Sequence, residues 1–163
     1  MNAEKAKKFQ IILLVIACIV FIVGLVLSSK AEKERAHNIE DIEIKIVDSY
    51  KKSEGNHYYV YTDFKITNDT KERLEYLEVT TYFTDKNGKS IGHMTSSFGS
   101  NWSWDSGLAL ESGESVTTTT YLEESYYNWG TLFEALYENG VSAYDVRYEI
   151  TYASWADEYE WQK

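Results

Sequence analysis

Hydrophobic and polar positions follow two different patterns along this chain. From Phe9 to Leu27 (FQIILLVIACIVFIVGLVL) the residues are uncharged, and Gln10 is the only polar side chain. A helix rises about 1.5 Å per residue, so this run reaches about 28 Å, close to the roughly 30 Å hydrocarbon core of a bilayer. Beyond Ser28 the pattern changes to a period of two. Ile42, Ile44 and Ile46 alternate with Glu43, Lys45 and Val47, and Tyr58, Val60, Thr62, Phe64 and Ile66 share one parity. Leu77, Val79, Thr81 and Phe83 repeat the pattern, as do Tyr144, Val146, Tyr148, Ile150 and Tyr152. Such alternation predicts half-buried strands.

Turn signals separate these segments. Lys51–Asn56 (KKSEGN) carries Gly and Asn, and Asp85-Lys86-Asn87-Gly88-Lys89 places an Asn-Gly pair between two β-like runs, a strong hairpin signal. Ser90–Met94 is the predicted return strand, Thr95–Gly107 a Ser- and Gly-rich loop, and Leu108–Leu122 a hairpin-like unit around Glu111–Glu114. Only Thr131–Glu138 repeats at a helical period outside the apolar run, through Leu132, Phe133, Leu136 and Tyr137, and Asn139-Gly140 supplies a helix stop. The expected architecture is all-β, an antiparallel immunoglobulin-like β-sandwich with one short helix, preceded by a single N-terminal transmembrane helix. The expected divisions are a stub at 1–8, a signal anchor at 9–29, a linker or frayed helix extension at 30–38 and a β domain at 39–163.

Charge sharpens this division. Residues 1–36 carry six basic and three acidic side chains, so within a chain of net charge −10 the remainder carries −13. Such a surface repels phosphate, which sets nucleic-acid binding aside. Lys5, Lys7 and Lys8 precede the apolar run, whereas Lys30, Lys33 and Arg35 follow it interleaved with Glu32 and Glu34. A short basic stub favours an inside N-terminus and an exported C-terminal domain. The membrane partner is thus residues 9–29. Two processed forms compete with the anchor: a secreted protein cleaved near Ala31, at Ser29-Lys30-Ala31, and a lipoprotein modified at Cys18 within Val15-Ile16-Ala17-Cys18. Cys18 is the only cysteine, so the chain has no intramolecular disulfide.

Fourteen tyrosines, five tryptophans and no proline suit pleated surfaces whose turns rely on Gly, Asn, Asp and Ser. Val79–Gly92 (VTTYFTDKNGKSIG), then Leu110–Ser115 (LESGES), and before them Asp63–Asn68 (DFKITN), resemble the FxLYD-type family of bacterial surface domains. In that family an aromatic-x-Asp-x-x-Gly hairpin follows an alternating strand, and the strand before it ends on Asn. The resemblance covers about residues 40–122, with Ser112 where a proline is usual and Thr84 where a tyrosine is usual. It implies an immunoglobulin-like fold and an exported accessory module; its motifs are turn chemistry and carry no catalytic residue.

No constellation for chemistry accompanies the fold signals. His37, His57 and His93 lack ligand spacing, so neither metal nor cofactor is expected. Asp85–Gly88 opens like a calcium loop, but Thr95, Ser96 and Ser97 stand where later ligands belong, so it reads as a turn. Asn68-Asp69-Thr70 and Asn101-Trp102-Ser103 match the short glycosylation pattern, which arises readily by chance. The expected function is therefore a membrane-anchored, extracytoplasmic, non-enzymatic binding or accessory domain, with an envelope protein or glycan as its partner. The alternative is a carbohydrate- or cell-wall-binding module using loop aromatics. The candidate binding residues are Phe98, Trp102, Trp104 and Trp129: exposed, such rings stack on sugars or anchor an interface, and buried, they close the ends of a sandwich.

Overall fold

In a continuous apolar run only a helix satisfies its own backbone hydrogen bonds, and residues 3–36 form one. The structure, a computed structural model, describes residues 3–99, 108–124 and 130–163, with side chains from Leu13 onward, and divides into units Met1–Ala36 and His37–Lys163. Helix α1 (Ala3–Ala36) is the whole of the first unit's described backbone. Its apolar stretch is long enough to cross a membrane by length and composition, and none of it is buried within the protein. Those properties fit a membrane anchor and a signal sequence alike. The helix also continues through the segment expected as a linker or frayed extension. Lys, Glu, Ala and Arg are strong helix formers, and Lys30 Nζ lies 3.9 Å from Glu34 one turn later.

The second unit is built from strands β1 (Ile42–Glu54), β2 (His57–Asn68), β3 (Leu74–Thr84), β4 (Ser90–Phe98), β5 (Glu114–Glu123), β6 (Asp145–Trp155) and β7 (Glu160–Gln162), with helix α2 (Gly130–Asn139) between β5 and β6. All neighbouring strands pair antiparallel, in sheets of order β1-β2-β5 and β4-β3-β6-β7. Inward side chains of both sheets fill one core. Val60, Phe64 and Ile66 come from β2, Leu77, Val79 and Phe83 from β3, and Ala153 and Trp155 from β6. The Phe64 ring lies 5.5 Å from Phe98 and 6.4 Å from Tyr148, and Ile46 N donates to the Tyr148 hydroxyl at 2.9 Å. Leu132, Phe133 and Leu136 turn the buried face of α2 to this core, and Gly140, at φ 76°, ends the helix with its N–H on Leu136 O.

Three elements differ from expectation. β4 continues to Phe98, beyond the predicted Met94, because Met94, Ser96 and Phe98 alternate inward and keep the strand paired with β3. β1 runs to Glu54, so the turn shrinks to Gly55-Asn56. His37, placed by sequence in the linker, is buried in the β unit: it stacks on Tyr159 at 4.2 Å, meets Trp155 edge-on at 5.1 Å, and its Nε2 is 3.0 Å from Asp157 Oδ1.

The end of β2 is closed by a buried polar cluster. Asn68 Nδ2 donates to Glu72 O at 2.9 Å and Leu110 O at 2.8 Å, while Asn68 Oδ1 accepts from Thr70 N and Thr70 Oγ1. Trp155 Nε1 donates to Thr70 Oγ1 at 3.0 Å, which ties the end of β6 to the same turn.

Candidate functional site

Parity decides which side chains leave the core. In β2, Val60, Thr62, Phe64 and Ile66 are buried, so Tyr59, Tyr61, Asp63 and Lys65 project from the other side of the three-stranded sheet. Pairing then sets Tyr50 of β1 and Tyr121 of β5 on either side of Tyr61. The Tyr50 and Tyr61 rings lie 5.3 Å apart with planes 6° from parallel, and Tyr121 is 5.7 Å from Tyr61 and 5.6 Å from Tyr59. Tyr50 is 44 % exposed and Tyr121 54 %, so the cluster is open to solvent.

Tyr50 reaches this face through a β-bulge. Ile42, Ile44 and Ile46 turn toward the core, but the register shifts between Ile46 and Asp48, with Val47 exposed at the step. One extra residue reverses parity, so Asp48, Tyr50 and Lys52 join the outer face. An unbulged strand would have sent them inward behind Ile46.

Charge frames the tyrosines unequally. On one side, Lys52 is bonded to Glu54 and its Nζ lies 5.7 Å over the Tyr61 ring; the hydrogen bond and charge of Glu54 hold its ammonium above the usual range. His57 Nδ1 lies 2.8 Å from Glu123 Oε1. Desolvation first, and then the carboxylates of Glu123 and Glu54, push the Tyr59 phenol up, so it stays protonated as a donor. On the other side, Asp48 and Asp63 are paired directly across the strands. Asp48 Oδ1 accepts from Ser49 N at 2.8 Å and Asp63 Oδ1 from Thr119 Oγ1 at 2.6 Å, and neither carboxylate has a cationic partner among the described residues. Around the bulge, a cleft of about 400 Å³ runs between Val47, Asp48 and Ser49 and the chain entering β6 at Ser142, Tyr144 and Tyr148. Burial pushes the Tyr148 phenol up, against the opposing hydrogen bond from Ile46 N.

Of the residues singled out by sequence, Phe98 is buried at the end of β4, 5 % exposed and packed on Phe64, so it presents no binding surface. Its inward parity on a paired strand takes it out of the expected loop. Trp102, Trp104 and Trp129 lie outside the described residues, as do Tyr126 and Tyr127. Trp155 is a core residue, Tyr159 and Trp161 pack against the core, and Trp161 sits on β7. His93 lies 5.6 Å from Tyr82 on the other sheet. Among the described residues no group of three or more His, Cys, Asp or Glu is arranged for a metal. Sequence reasoning passed over Tyr59 and Tyr61, although the parity that made Val60 and Phe64 core residues also pointed these two outward.

No protein-family model matches the chain, and no curated protein matches it. Among solved structures, the X-ray structure of a Northeast Structural Genomics Consortium target is similar over 51% of this chain at 15% identity, with a TM-score of 0.29. This chain spans 64% of that structure's length.

Proposed function

We propose that this protein is a membrane-tethered, non-enzymatic binding domain of the cell envelope. Residues 9–29 form an uncleaved anchor with its N-terminus inside, and the β unit is an exported immunoglobulin-like sandwich of the FxLYD type. The strand order supports the sandwich reading. Lettered in immunoglobulin fashion, β1-β2-β5 becomes A-B-E and β4-β3-β6-β7 becomes C′-C-F-G. One observation carries the functional reading: a chain with a helix of membrane-crossing length also folds a β unit that turns four clustered tyrosines to solvent. Exposed aromatic clusters are what interfaces are built from.

Protease shaving tests the topology. With an epitope tag at the C-terminus, the tag is expected to be lost from intact cells, or from spheroplasts where an outer membrane is present. The cell-associated protein before shaving is expected to have the mass of the whole chain. A tag digested only after lysis overturns export, and a medium-released form beginning after Ala31 overturns the anchor.

A further inference from the structure

We propose that the outer face of the β1-β2-β5 sheet binds an arginine-bearing peptide segment of a protein partner, with a guanidinium seated on Tyr50 and Tyr61 against Asp48 and Asp63. The proposal rests on the reading of this unit as a binding domain and names its ligand class.

Four observations converge. The Tyr50 and Tyr61 rings, 6° from parallel and 5.3 Å apart, stack on one another, and a planar guanidinium extends such a stack. The neighbouring rung, about 7 Å along the strands at two residues per step, sets Asp48 directly opposite Asp63. Like charges in that position repel across a sheet, so the pair is an unneutralised charge that a bound cation relieves. Each carboxylate uses one oxygen internally, on Ser49 N and Thr119 Oγ1, and keeps lone pairs for a bidentate donor. Finally, the protein already places a cation here: Lys52 Nζ lies over Tyr61 while bonded to Glu54. Of the other acids on this side, Glu54 pairs with Lys52, Glu43 pairs with Lys45 and Glu123 is hydrogen-bonded to His57, which leaves the aspartate rung as the open position. Lys45 and Lys65 face one another one rung beyond it, so the guanidinium approaches from the tyrosine side. The bulge at Val47 brings Asp48 and Tyr50 to this face together.

The test uses the full chain in nanodiscs and a capped hexapeptide of alternating arginine and glycine. The same peptide with citrulline, the neutral isostere of arginine, is the comparison, and titration calorimetry is run at low and physiological salt. The arginine peptide is expected to bind, and the citrulline peptide at least tenfold more weakly. Joint Asp48→Asn and Asp63→Asn substitution is expected to weaken arginine-peptide binding at least tenfold while raising the thermal midpoint of the free protein, since the opposed charges are gone. Tyr61→Leu is expected to weaken binding about fivefold. Joint Glu134→Gln and Glu138→Gln substitution removes the same charge from exposed positions on α2 and is expected to leave affinity unchanged. Equal binding of both peptides, or equal losses from the α2 pair and the aspartate pair, overturns the proposal. If a soluble chito-oligosaccharide binds in a Tyr61-dependent way and the arginine peptide does not, the ligand class falls while the binding-domain reading stands. If neither probe binds in a Tyr61-dependent way, the tyrosine face falls as a recognition surface, and the topology test remains independent of that result.

Discussion

Replacing Asn68 by alanine tests whether the buried polar cluster at the end of β2 holds this corner of the fold. Asn68 is fully buried and uses its whole hydrogen-bonding capacity, two donated bonds and two accepted ones. Truncation leaves some partners served: Leu110 O still accepts from Leu74 N, and the Thr70 hydroxyl, released from Asn68 Oδ1, is within 3.0 Å of Glu72 O and donates there instead. Thr70 N is stranded, at about 1–3 kcal/mol for an unsatisfied buried donor, and the remaining lost bonds add about 0.5–1.5 kcal/mol each. The expected loss is about 2.5–7.5 kcal/mol, a large part of the roughly 5–15 kcal/mol that a domain has. With a urea slope near 2 kcal/mol/M, the midpoint falls by about 1–4 M.

The assay is urea unfolding of the full chain in mild detergent, followed by tryptophan fluorescence and far-ultraviolet circular dichroism. Trp155 reports directly, since its indole N–H donates into the cluster. Asn68→Asp separates hydrogen bonding from packing because it keeps the shape and exchanges donors for acceptors. Burial raises the folded pKa of the introduced carboxyl above its unfolded value of about 3.9. The folded state then holds its proton longer, so stability is highest near pH 4 and is lost as pH rises through the folded pKa. Asn68→Ala lacks this dependence. A midpoint for Asn68→Ala within about 0.3 M of the native chain, which at that slope is about 0.6 kcal/mol, refutes the reasoning.

Other perturbations probe separate features. Thr62 and Thr81 bury Oγ1 atoms that have no hydrogen-bond partner among the described residues. Thr62→Val and Thr81→Val should therefore each stabilise the domain by about 1 kcal/mol, read by the same urea titration. At Gly99 (φ 85°) a Cβ would meet Glu75 O at 2.3 Å and Leu108 Cβ at 2.6 Å, whereas at Gly113 (φ 80°) it would meet open space. Gly113→Ala should cost about 1–2 kcal/mol for the backbone conformation alone, and Gly99→Ala clearly more, since the Glu75 carbonyl must move; equal midpoints for the two refute the close approach. In the β3–β4 turn the N–H groups of Lys89 and Asn87 hold the Asp85 carboxyl below the usual range. A depressed folded pKa stabilises above the unfolded pKa and is lost as pH falls through the folded one, so the native chain should lose stability more steeply than Asp85→Asn between pH 5 and 2.

Much of the fold is carried by local chemistry and was open to reading. The apolar run, the Asn-Gly turn of the β3–β4 hairpin and the helix ending at Asn139-Gly140 each stand where short-range rules put them. Asn68 shows why a strand in this chain ends on asparagine: only that side chain both donates to two carbonyls and accepts from the turn that follows. Long-range packing was not legible. His37 sits in a charged segment without an apolar stripe, and its burial depends on Trp155, Asp157 and Tyr159, more than a hundred residues away. The extent of β4 was hidden for a related reason. Thr95-Ser96-Ser97 has loop-like composition, and its strand character comes from the pairing with β3 that carries Phe98 into the core.

The tyrosine face marks the limit of reading by parity. Tyr59 and Tyr61 follow from the alternation that buries Val60 and Phe64, and Tyr121 follows once β5 is paired in register with β2. Tyr50 does not follow: the even-numbered isoleucines Ile42, Ile44 and Ile46 assign it to the core, and only the extra residue at Val47 reverses that assignment. The same reversal brings Asp48 opposite Asp63. A single shifted residue therefore exchanges a buried carboxylate and a buried phenol, both costly without partners, for a stacked aromatic pair beside an open pair of charges. Asp48, Tyr50 and Lys52 would all be poor core residues, so the sequence of β1 is compatible only with the bulged strand. The bulge follows from the chemistry of the residues after it, and the face it creates sets exposed aromatic rings beside two carboxylates that have no cationic partner among the described residues.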